Sequence, residues 1–130
     1  MTLPLKKTTP ACLLVDDNEL LVRALARRLE TSCGLRVHYV RNGIRALRVL
    51  EHAGFDVIVC DLRMPGPDGL QVLGTCSERW PAMRRVLLTA FSAAEQIEQG
   101  VADLVLDKRL STDQVIELIC LQAQQPRHAR

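Results

Sequence analysis

At 130 residues, 48% hydrophobic and 25% charged, the chain has the size and balance of one folded domain with its own core. A formal net charge of +2, from seventeen basic and fifteen acidic residues, excludes the broad basic footprint of a nucleic-acid binder, and no apolar run is long enough to span a membrane. Aromatic residues make up only 3%, so the core must be built from Leu, Val, Ile and Ala.

Residues 1–10 lack the long apolar region of a signal peptide and read as a disordered tail. The first predicted strand is Ala11–Val15, and it runs directly into the paired carboxylates Asp16 and Asp17. A helix is predicted over Glu19–Glu30, where Leu21, Val22, Leu25 and Leu29 recur at helical spacing. Strand Leu35–Val40 follows, then a helix over Asn42–Ala53 carrying Ile44, Leu47, Val49 and Leu50. Strand Phe55–Cys60 ends against Asp61, and helix Asp68–Arg79 turns Leu70, Val72 and Leu73 inward. Strand Arg84–Leu88 leads to Thr89, and a short helix is predicted over Ser92–Gln99. Strand Asp103–Leu106 stops just before Lys108, and the last helix, Ser111–Gln124, is followed by a tail over 125–130.

Asn42, Asp68, Ser92 and Ser111 stand where N-caps belong, and Gly34, Gly54 and Gly100 where helices should end. The arginines of the first two helices, Arg23, Arg27, Arg28, Arg41, Arg45 and Arg48, read first as a solvated face and second as a partner surface. Cys12, Cys33, Cys60, Cys76 and Cys120 are odd in number and show no metal-ligand spacing, which suits free thiols in a reducing, cytoplasmic setting. His38, His52 and His128 fall on a strand, a helix and a tail, with no catalytic pairing.

Strand and helix alternating five times predict an α/β, flavodoxin-like, doubly wound fold. Its sheet has five parallel strands in the order 2-1-3-4-5, with about five helices, the fourth shortened. Such sheets bind ligands beyond the carboxyl ends of their strands. That edge receives Asp16, Asp17, Asp61, Thr89 and Lys108. Three carboxylates in one cleft need a cation, and an all-oxygen donor set points to Mg²⁺. Asp61, alone at its strand end between Cys60 and Leu62, is placed to attack phosphorus. Lys108 would oppose the phosphoryl charge, and Thr89 would donate to a phosphoryl oxygen.

The pieces VDD, DLRMPGPDG, LLTA and DK stand in order on successive strand ends. Together they resemble the receiver domain of bacterial two-component response regulators, over residues 11–124. The resemblance implies Mg²⁺-dependent phosphotransfer to Asp61 from a sensor histidine kinase or a histidine phosphotransfer protein. Asp16, Asp17 and Asp61 would hold the metal, with the backbone carbonyl of Arg63 completing the site. Thr89 and Lys108 would bind the phosphoryl group. Catalysis would extend only to the domain's own phosphorylation and dephosphorylation. The signal would pass to a downstream protein or an output domain, without direct nucleic-acid contact or membrane insertion. A phosphorylation-dependent dimer is among the states the resemblance allows.

Four features depart from the family pattern. Arg109 replaces the proline that commonly follows the lysine, so a cis bond there would cost about 3–4 kcal/mol. Val105 replaces the aromatic residue that commonly serves as the switch. The segment between Thr89 and Lys108 is short, and Arg63 and Phe91 hold positions that tune loss of the phosphoryl group. The altered switch supports a second reading, a receiver-like interaction module independent of phosphorylation. A phosphatase of the DxDx(T/V) type is opposed by the sequence after Asp61. A nucleotide-binding flavodoxin-like protein is opposed by the acidic loop after the first strand.

Overall fold

The computed structural model describes residues 9–90 and 100–125. Its elements, in chain order, are β1 (Ala11–Val15), α1 (Glu19–Cys33), β2 (Arg36–Val40), α2 (Gly43–His52), β3 (Val57–Asp61), α3 (Gly69–Arg79), β4 (Arg84–Thr89), β5 (Leu104–Asp107) and α4 (Thr112–Gln124). All strand pairs are parallel, in the order β2-β1-β3-β4-β5. The fold class and strand order are those expected. Four helices lie among the described residues. The expected short helix at Ser92–Gln99 lies outside them, as do residues 1–8 of the expected tail over 1–10 and residues 126–130 of the expected tail over 125–130.

Strand residues alternate between two faces, and each face needs a cover. Cys12 and Leu14 of β1 join Leu25 and Leu29 of α1 and Ile116 and Ile119 of α4. Leu13 and Val15 join Ala46 of α2 and Val72 and Leu73 of α3 on the other side. The central strands are therefore buried on both faces, which is why they read as nearly continuous apolar runs. No helix among the described residues is long and apolar enough to cross a membrane.

Helix boundaries follow local chemistry. Asn42, Asp68 and Ser111 each accept a backbone N–H in the first turn, and the last two form full capping boxes with Gln71 and Gln114. Asn18 does the same for α1, a cap the sequence reading did not single out. Gly34 ends α1 in the left-handed region at φ 67°. The structure corrects the reading of the cysteines: Cys33 and Cys120 are joined in a disulfide between α1 and α4. An odd count concealed one bonded pair and three free thiols. The bond also removes the cysteine-based argument for a reducing compartment.

Candidate functional site

Parallel strands deliver their last residues to one edge, and the sheet register aligns them. Asp61 pairs with Leu88, the neighbour of Thr89, and Thr89 pairs with Asp107, the neighbour of Lys108. Asp16 follows directly on β1, its N–H bonded to the Val40 carbonyl at 3.2 Å. The Lys108 N–H donates to the Thr89 carbonyl at 2.8 Å, so the backbone that presents the lysine is anchored on β4. The Lys108–Arg109 bond is trans, in keeping with the absence of proline.

Asp16, Asp17 and Asp61 each offer a carboxylate oxygen within 4.8 Å of the others. Asp16 and Asp61 are buried and Asp17 is exposed. The Lys108 ammonium bridges the buried pair, 3.1 Å from Asp16 Oδ2 and 2.9 Å from Asp61 Oδ1. The other Asp16 oxygen accepts the Asn18 N–H at 2.9 Å, which fixes the carboxylate as α1 begins. Burial raises the Asp61 carboxyl above the ordinary carboxylate range. The charges of Asp16 and Asp17 add to that rise, and Lys108 opposes it. At Lys108, burial pulls the ammonium down, but bonding to Asp61 and the Asp16 charge outweigh it, and the net shift is upward.

Thr89 is buried at the end of β4, its hydroxyl 3.5 Å from the Ala90 carbonyl oxygen. Arg63 is exposed, two residues beyond β3. Phe91 lies outside the described residues. Val105 is half-buried and packs against the core cluster on the α2–α3 side. The structure thus brings Asp16, Asp17, Asp61 and Lys108 into one constellation, with Thr89 and Arg63 on the same edge.

Gly69 ends the DLRMPGPDG stretch, and the family resemblance implies that Asp68 and Gly69, with Met64 and Pro65, shape the loop beside the site. A Cβ on Gly69 would collide with the Asp61 carbonyl oxygen and the Leu62 Cα, both backbone atoms. Its N–H donates to the Leu62 carbonyl at 2.8 Å, so α3 starts in contact with the strand end that carries Asp61. The free thiols take no part. Burial pushes Cys12 and Cys60 far up and Cys76 up to about 11, so none supplies a thiolate near neutrality.

The donor chemistry fits a hard divalent cation. All donors are carboxylate oxygens, and no soft ligand lies in the cluster. When all three acids are ionised, one ammonium leaves two negative charges in excess, which a single divalent ion balances.

Residues 12–120 match the family model of the response regulator receiver domain. The chain is 33% identical over 115 residues to the response regulator protein FleR of Pseudomonas aeruginosa, covering 85% of this chain and 24% of FleR. It is 30% identical over 126 residues to the DNA-binding transcriptional regulator NtrC of Escherichia coli, covering 89% and 27%. The chain therefore spans about a quarter of the length of these curated relatives. Response regulator TrrA from Thermotoga maritima, solved in complex with Mg²⁺-BeF, superposes with a TM-score of 0.80 at 26% identity, covering 88% of this chain and 99% of TrrA. The non-phosphorylated HemR receiver domain from Leptospira biflexa shares the fold, with a TM-score of 0.82 at 24% identity over 94% and 100% of the two chains.

Proposed function

This chain belongs to the response regulator receiver domain family, the phosphorylation-accepting receivers of two-component signalling, and from that premise we propose that Asp61 is its acceptor residue. One observation carries the assignment: Asp61 is the buried carboxylate at a strand end that shares the Lys108 ammonium with Asp16 and lies within reach of Asp17.

A carboxylate oxygen of Asp61 attacks phosphorus in a phosphohistidine donor. The P–O bond forms, the P–N bond breaks, and the imidazole leaves with its electron pair. Asp61 then carries a phosphoryl group in place of a free carboxylate, and Lys108 turns one of its donors to a phosphoryl oxygen. Thr89 donates its hydroxyl to another. Asp16, Asp17, Asp61 and the Arg63 carbonyl would hold Mg²⁺, which when bound would supply positive charge against the phosphoryl oxygens. The Mg²⁺-BeF complex of TrrA supports this reading.

The chemistry extends to the domain's own phosphorylation and dephosphorylation and to no other substrate. The donor is a sensor histidine kinase or a histidine phosphotransfer protein, and the recipient of the signal is a downstream protein or domain. A phosphorylation-independent module is disfavoured. Such a module gains nothing from crowding three carboxylates at one edge, a costly arrangement without a cation. Intact mass after treatment with acetyl phosphate tests the proposal. The expected result is one phosphoryl adduct that requires Mg²⁺ and is absent from Asp61→Asn. An equal yield on Asp61→Asn would overturn it.

A further inference from the structure

The arginines of the first two helices make no ion pair with Asp16, Asp17 or Asp61 among the described residues, although Arg41 and Arg45 line a cavity with Asp17, and the structure separates them into two groups. Those of the second group line up. Arg45, Arg48 and His52 fall at the spacing of a single stripe along α2, and Arg41 stands just before the N-cap Asn42. Residues of that stripe line cavities shared with β2, one of the two edge strands of the sheet. Between helix and strand lie two open cavities of about 500 Å³ each, which share His38, Arg48 and Val49. Their walls hold no carboxylate, and Arg36 adds a further cation. Arg41 has Glu19 at 3.9 Å, whereas Arg36, Arg45 and Arg48 make no ion pair among the described residues.

The strand itself has a free side. The Arg36 N–H and the Val40 carbonyl both bond toward the β1 side, so alternate residues of β2 turn their backbone groups inward. Val37 and Tyr39 therefore turn theirs outward, along an edge with no pairing strand among the described residues. The side chain of Val37 packs on the α1 face, and Tyr39, two residues on, shares that face and is exposed. A strand added here would thus meet arginines on one face and Val37 with Tyr39 on the other.

We infer that the β2 edge is a docking site for an acidic peptide segment of a partner protein, bound as an added strand with alternating acidic and apolar side chains. The main-chain bonds run to Val37 and Tyr39, and the charge complement is the arginine stripe. A nucleic acid would use the cations but not the strand edge. The inference does not depend on phosphorylation of Asp61, and its test is run with chelator present and without a phosphoryl donor.

The probe is a short fluorescent peptide alternating glutamate with valine, followed by anisotropy on the full chain, with backbone amide shifts recorded in parallel. Binding should weaken with salt, shift the Val37 and Tyr39 amides, and fall by about tenfold or more in Arg45→Glu/Arg48→Glu. A peptide N-methylated at alternate backbone positions should not bind, an arm that needs no protein variant. No binding of the plain peptide would overturn the inference. So would equal binding of the N-methylated peptide, equal binding by a folded double variant, or tighter binding of a single-stranded oligothymidylate.

Discussion

Lys108 places one ammonium between two buried carboxylates, Asp16 and Asp61. Replacing it with methionine should leave Asp16 and Asp61 facing each other without a cation. In chelator the variant should lose roughly 1–2 kcal/mol, a figure reduced because the lysine is 30% exposed. Excess Mg²⁺ should restore part of that loss, and thermal melts with and without the ion check both statements. Asp61 behaves differently. Its folded pKa lies above the unfolded value, so between the two the folded state holds a proton that the unfolded state has released. Stability from this group therefore falls as pH rises through that window. In chelator near neutrality, Asp61→Asn should melt higher than the native chain, and the gap should close as pH is lowered through the carboxylate range. A gap that widens on acidification would contradict the sign. Asp61 and Asp16 were legible in the sequence because each follows an apolar run of strand length, and Lys108 because it stands one residue beyond such a run. Their mutual distances were not, because register between strands is a tertiary property.

Elements start and stop where the sequence places capping side chains, so most boundaries could be read to within a residue or two. Asp68 and Ser111 cap through their own first turn, a local interaction that needs no partner elsewhere. β3 was harder. Phe55 and Asp56 precede the strand, where the Asp56 carboxylate accepts the Ala11 N–H at 2.8 Å, and Asp61 itself belongs to the ladder. Backbone pairing is indifferent to the charge that ended the apolar run. Gly69 shows the same limit: its need for close approach to Asp61 comes from how α3 packs on the sheet. Gly69→Ala should cost about 1–3 kcal/mol, because two backbone segments must move. It should also slow formation of the Asp61 adduct. Asp68→Ala should cost about 1 kcal/mol through the lost cap and leave the adduct rate near that of the native chain. Denaturant melts and timed intact-mass spectra separate the two. Equal effects on the adduct rate would show that the Gly69 contact does not set the position of Asp61.

At the scale of the molecule, the chain is closed by a bond that residue spacing could not reveal. Cys33 ends α1 and Cys120 lies within α4, 87 residues apart in sequence and 6.0 Å between Cα atoms, inside the usual range for a disulfide. Only the packing of α1 beside α4 brings them together. A crosslink over so long a loop removes conformational freedom from the unfolded chain, up to about 4–5 kcal/mol in the entropic account. Reduction should therefore lower the melting temperature by roughly ten degrees or more. Cys33→Ser should melt at the reduced value whether or not reductant is present. The remaining thiols, Cys12, Cys60 and Cys76, are buried and held protonated, so alkylation of the folded, reduced protein should label Cys33 and Cys120 alone. The bond lies at the far end of α1 from Asp16 and Asp17, about 20 Å along a helix of this length. Breaking it should lower stability without changing the yield of the Asp61 adduct. A melting temperature indifferent to reductant would mean that α1 and α4 are held by packing alone.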